Sequence, residues 1–157
     1  MSLEVTLRGD RQVVLVRHLP GPPAAVFRAH VEPDLIRRWM TGPGDSRMTE
    51  CQHDARPGGT FRMAWDSPSD AFPPFEITGE YIALDPPRRI EHVERMHLPG
   101  FTTGDNHIVT SFTAEGQGTR MEMVMTFESG EARDAALATG MTDGMEACYT
   151  ALENLSV

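Results

Sequence analysis

The chain has 157 residues and a formal charge of −9, from 14 basic and 23 acidic side chains with the six histidines counted neutral. Every basic residue is an arginine, from Arg8 to Arg133, which excludes lysine Schiff-base chemistry, an ordinary pyridoxal-phosphate site and a P-loop. A pI near 5.0 disfavours nucleic acid or an anionic membrane as the main partner.

The length suits a single domain over residues 1–157, long enough to bury a core without metals or disulfides. Cys51 and Cys148 are too few for a disulfide framework. The start MSLEVTLRGD lacks a basic and an apolar targeting region, and no apolar run approaches bilayer length. The expectation is a reduced, cytoplasmic protein that does not insert into membranes.

In chain order, Gln12–His18 is rich in β-branched residues and reads as a strand, ended by Pro20, Pro22 and Pro23. Pro23 and Pro33 each suit the first turn of a short helix, AAVFRAHV and DLIRRWM. Six strand-like runs follow: Met48–Ala55, Thr60–Trp65, Glu76–Leu84, Arg89–His97, His107–Thr113 and Thr119–Phe127. Turn residues separate them, including Pro57-Gly58-Gly59, Asp85-Pro86-Pro87 and Glu115-Gly116-Gln117-Gly118. From Glu131 to Leu155 there is no proline, and Leu137, Met141, Met145, Cys148, Leu152 and Leu155 mark one face of a single long helix. Ser129 is placed to cap it. Consecutive strands with short turns favour an antiparallel sheet that buries this helix's apolar face, an α+β architecture.

With four segments, PPAAVFRAHVEPDLIRRWM (Pro22–Met40), ARPGGTFRMAW (Ala55–Trp65), GEYIALDPPRRI (Gly79–Ile90) and EARDAALATGMTDGMEACYTALENL (Glu131–Leu155), the chain resembles the START/SRPBCC superfamily. That superfamily includes the birch-pollen allergen. Within it the resemblance is to the family named after the activator of heat-shock-protein-90 ATPase. It implies a helix-grip fold: a curved antiparallel sheet of about six or seven strands around a long C-terminal helix, with two short helices after the first strand. It also implies an internal apolar cavity. It implies no particular reaction, since such relatives range from ligand carriers to cyclase-like enzymes and co-chaperones. Two departures put thioethers where rings are usual, at Met40 in the pair Trp39-Met40 and at Met141.

Strand alternation sorts the candidate ligand-binding residues. Phe61, Met63 and Trp65 share a face, as do Met121, Met123, Met125 and Phe127. Both rows are expected to look toward the long helix, which returns Met141 and Met145; such thioethers either fill the core or line an adaptable apolar site. Gly140 and Gly144 each cost about 1 kcal/mol inside a helix, offset either by close packing on the sheet, which Ala147 and Ala151 on the same stripe favour, or by room left for a ligand. Ile90, His92, Glu94 and Met96 share another face, so an inward Ile90 brings His92 and Glu94 into the cavity, where they could serve as an acid/base pair or orient a polar ligand. Tyr81 and Tyr149, the only tyrosines, are also counted among the ligand-binding residues, and the Tyr149 hydroxyl is placed either to bond a ligand head group or to satisfy a backbone group. Cys51, His53 and His92 form only a notional metal set, without HExxH or paired CxxC motifs. Asp66, Asp70, Glu76 and Glu80 read as a solvated acidic face.

The leading expectation is therefore a binding protein for an apolar or aromatic small molecule or lipid, with no cofactor. A cyclase-, dehydratase- or hydrolase-like enzyme using His92 and Glu94 is the alternative. A co-chaperone of the heat-shock-protein-90 ATPase rests on the family name alone, and a homodimer is compatible with so small a domain.

Overall fold

The computed structural model describes residues 2–155. Their elements are β1 (Glu4–Arg8), β2 (Gln12–Leu19), α1 (Pro23–Val31), α2 (Pro33–Trp39), β3 (Arg47–His53), β4 (Thr60–Asp66), β5 (Phe75–Asp85), β6 (Arg89–Leu98), β7 (Phe101–Thr102), β8 (Asn106–Glu115), β9 (Gly118–Thr126), α3 (Gly130–Ala138) and α4 (Met141–Glu153). All the strands join one antiparallel sheet in the order β1-β2-β9-β8-β6-β5-β4-β3, with β7 pairing β6. The sheet is curved and unclosed, and with its C-terminal helix it is the α+β helix-grip arrangement.

The helices start where proline chemistry allows. Pro23 and Pro33 occupy first turns, where a missing N–H costs nothing, and Glu32 both ends α1 and precedes α2. Trp39 Nε1 donates to the Ala29 carbonyl at 2.9 Å, tying the second helix to the first. Nine strands exceed the expected six or seven. The additions are the short β1, exposed along its whole length, and the two-residue β7.

The single long helix is overturned. Ser129 caps α3 as expected, its hydroxyl accepting from the Ala132 N–H at 3.0 Å. The helix then stops at Ala138, and Gly140 adopts φ 81° before α4 restarts at Met141. Gly140 is thus a left-handed joint, a conformation that glycine enters without steric cost. Close packing at the two glycines is overturned as well: a Cβ at Gly140 or Gly144 would meet nothing within 4 Å.

Arg17 shows which face of the sheet lies under the helices, because its guanidinium reaches Thr150 and Glu153 on α4. Register carries that face across the sheet through the row Val13, Met125, Ile108, His92 and Tyr81. The row beside it runs from Glu94 through Gly79 and Phe61 to His53. The core forms between this concave face and the helices, from Val13, Leu15, Met121, Ile36 and Trp39 among others. Each such side chain contributes about 1.5–3 kcal/mol by leaving water.

Candidate functional site

The two rows place four polar side chains around one aromatic ring. His53 stacks on Phe61 with centroids 5.2 Å apart and planes 2° from parallel. His92 meets the same ring edge-on at 5.3 Å, and Tyr81 lies 5.2 Å away. Glu94, two residues along β6, completes the group. Phe61 can lie flat here because its cross-strand neighbour is Gly79, where a Cβ would come within 2.4 Å of the ring and 2.2 Å of the Val93 carbonyl.

Hydrogen bonding assigns the protons. His92 Nε2 donates to Glu94 Oε1 at 2.8 Å, which leaves Nδ1 a bare lone pair when the ring is neutral. Tyr81 OH lies 2.6 Å from His53 Nδ1; a phenol donates to imidazole more readily than it accepts, so the ring proton of His53 sits on Nε2. Both remaining nitrogens, His92 Nδ1 and His53 Nε2, are buried without a protein partner. One is an acceptor and the other a donor, on the same concave surface.

A second polar pair lies beneath the helices. His30 Nδ1 donates to the Val26 carbonyl at 2.8 Å, so Nε2 accepts from Tyr149 OH at 3.3 Å. Phe112 and Trp39 pack around the His30 ring at 5.0 and 5.1 Å. Burial lowers the pKa of His30 to about 4, opposed by its bond to Val26 and aided slightly by nearby His92. Burial likewise lowers His53 to about 4, with a smaller push from His92. Burial raises the Tyr81 and Tyr149 hydroxyls well above the ordinary phenol value, and Glu94 adds to both shifts. Both thiols are raised too, chiefly by burial. The surroundings thus favour neutral His30 and His53 rings, neutral hydroxyls and protonated thiols at neutral pH.

Of the residues expected to bind a ligand, Phe61, Met63, Trp65, Tyr81, Met123, Met125 and Tyr149 are buried on or against the concave face, while Met141 and Met145 are only partly covered. The structure brings His92 and Glu94 to this face together with Phe61 and Tyr81. Trp65 lies four residues along β4 from Phe61, stacks on Phe75, and spends its N–H on the Met40 carbonyl. Sequence reasoning missed His30 and used His53 only as a notional metal ligand. His30 had a signal: it stands four residues from Val26 on the buried side of α1. Among the described residues no group of three or more His, Cys, Asp or Glu side chains is arranged to hold a metal.

The outer face carries a groove of about 300 Å³ lined by Gln52, Arg62, Thr78, Glu80 and Arg95 among others. Its arginines are already engaged, Arg62 by Glu50 and Glu76 and Arg95 by Glu80 and Asp105. The expected solvated face is thus laced with ion pairs, and its guanidiniums are poorly placed to take up a further anion.

A family model described as activator of Hsp90 ATPase homolog 1-like protein matches residues 20–156. The chain belongs to that family. The match spans α1 through α4, including every polar residue of the concave cluster. Among solved structures, a protein from Rhodobacter sphaeroides is similar at 26% identity, with a TM-score of 0.87 over 96% of this chain and 95% of that one. One from Rhizobium leguminosarum is similar at 28% identity and TM-score 0.74, covering 98% of both chains. A Mycobacterium smegmatis protein at 21% identity shares the fold, with a TM-score of 0.86 over 100% of this chain and 98% of that one. No curated protein matches the chain. Family membership is consistent with ligand binding or a co-chaperone-like role, and no helix among the described residues is long and apolar enough to cross a membrane.

Proposed function

We propose that this protein binds a small, largely apolar molecule carrying a neutral hydroxyl group, held between the concave face of the sheet and helices α3 and α4. The observation that carries the reading is the pair of buried, unpartnered imidazole nitrogens, His53 Nε2 and His92 Nδ1. A buried polar atom without a partner costs about 1–3 kcal/mol, which a ligand recovers by bonding to it. One hydroxyl oxygen can accept from His53 Nε2–H while its proton is donated to His92 Nδ1. Phe61, Met63, Met125 and the partly covered Met145 supply apolar surroundings that adapt to different skeletons. A carboxylate is disfavoured beside Glu94, whose charge already pushes up both tyrosines.

Calorimetric titration with paired compounds tests this, each phenol or alcohol against the same skeleton lacking its hydroxyl. The hydroxylated member binds about tenfold or more tightly, and His92→Phe reduces the preference, since only the bond from His53 Nε2–H remains, while retaining apolar binding. Equal affinity for both members, or a preference undiminished in His92→Phe, refutes the reading.

The His92–Glu94 pair favours a second reading. A carboxylate that accepts from Nε2 orients the ring and stabilises its positive charge once Nδ1 takes a proton. In that role a bound phenol gives its proton to Nδ1 and becomes a phenolate paired with the imidazolium. Binding of a nitrophenol below its solution pKa would then raise the phenolate absorbance in the wild type and not in Glu94→Gln. The co-chaperone alternative is carried by the family description alone.

A further inference from the structure

The two edges of the sheet are unlike. At one end β3 is protected: it carries a bulge between Met48 and Glu50, an Arg47–Asp66 ion pair, and α2 packed against it. Such devices prevent strand addition at an open edge. At the other end β1 is bare. It contains no proline, its pairing with β2 runs without a register shift from Glu4 to Arg8, and it exposes Val5 by 43% and Leu7 by 51%.

The sequence of this edge, Glu-Val-Thr-Leu-Arg, is complementary to itself when read in reverse. We propose that β1 is a homodimer edge, in which two copies pair antiparallel about a two-fold axis through Thr6. In that register Glu4 faces Arg8 of the second copy and Arg8 faces its Glu4, while Val5 and Leu7 face each other twice. Thr6 meets its own equivalent.

The other registers are worse. Sums of paired residue numbers must be even, because an odd sum sets residues of opposite faces against one another. A centre at Glu4 or at Arg8 puts like charges together, and a centre at Val5 or Leu7 leaves Glu4 or Arg8 opposite threonine. Only the Thr6 register forms two opposite-charge pairs and two apolar pairs. Within the chain, Glu4 and Arg8 face Val16 and Gln12 on β2, so neither has an opposite charge as its cross-strand neighbour there. The axis stands perpendicular to the sheet, so both helix layers stay on one side of a continuous sheet of doubled width. The contact is isologous and closes at two copies. Five residues a side fall short of a standard interface, so association is weak.

Sedimentation velocity on the untagged full chain, up to about 1 mM, tests the edge and its register together. The wild type shows a concentration-dependent monomer–dimer equilibrium. Glu4→Arg and Arg8→Glu, each setting like charges opposite one another twice, weaken association by about tenfold. An equimolar mixture of these two variants recovers the wild-type association, because one copy then carries arginine at both ends of the strand and the other carries glutamate at both. The double variant Glu4→Arg/Arg8→Glu recovers it also. Circular dichroism confirms that each variant keeps its fold, as expected for exposed positions. A wild type that stays monomeric throughout, single variants that associate as well as wild type, or a mixture that fails to recover would each overturn the proposal.

Discussion

Acid should destabilise this protein well before its carboxylates titrate, and His30 supplies the clearest case. Its folded pKa is lowered from 6.5 to about 4, so between those values the unfolded chain binds a proton that the native state does not. Stability attributable to this ring is therefore complete above pH 6.5, falls as the solution is acidified, and levels off below about 4. From pH 6.5 to 5 the difference amounts to about 2 kcal/mol, taking 1.36 kcal/mol per pKa unit. His53, lowered to a similar value, adds a comparable loss. The acidic groups with lowered pKa values, such as Glu76 and Asp105, lose their contribution only at lower pH. The assay is urea unfolding from pH 7 to 5 on the wild type and on His30→Phe, whose ring keeps company with Phe112 and Trp39. The variant leaves Tyr149 OH without its acceptor and so starts about 1–3 kcal/mol less stable. Its slope with pH should nevertheless be shallower by the His30 share. Equal slopes in the two proteins would refute the buried neutral imidazole.

Two glycines four residues apart should respond to alanine with opposite sign. Gly144→Ala removes a helix-interior glycine into open space and stabilises by about 1 kcal/mol, whereas Gly140→Ala forces a left-handed φ and destabilises by about 1 kcal/mol; thermal unfolding reads both. Gly79→Ala drives a methyl into the Val93 carbonyl and the Phe61 ring, so its midpoint in urea falls by an amount equivalent to about 1–3 kcal/mol. Ser129→Ala removes the bond to the Ala132 N–H and costs about 1 kcal/mol, read as a lower melting temperature.

Alternation made the strands legible, and with them the face that carries His92 and Glu94. Ile90 is apolar and two residues away, so once it points inward the other two must follow. The break between α3 and α4 was not legible, because the apolar steps from Leu137 to Met141 to Met145 run on across Gly140. Spacing reports which residues share a stripe and is blind to the sign of φ at a joint. β1 was missed for a different reason: a five-residue strand exposed on every residue has no buried face to pattern. The cluster around Phe61 joins β3, β4, β5 and β6, and no local signal announces that His53 and His92 share one ring. Only the register across three strand pairs brings them together.

Arg17 divides the C-terminal region into unequal halves. Its side chain has no exposure, and it holds α4 through Thr150 and Glu153 with Glu146 nearby, while α3 contains no buried residue at all. Amide hydrogen exchange should therefore be graded within a few residues: fast in α3, governed by its own local opening, and slow around Tyr149 and Leu152, governed by global unfolding. Gly140 sits at the boundary, so α3 can leave the sheet without dragging α4 after it. If the proposed ligand binds beneath these helices, its entry requires the release of α3 alone, held by the Arg133 bonds to the Gly9 and Gln12 carbonyls and by the partly buried Ala132, Ala136 and Leu137, and α4 keeps its place in the fold.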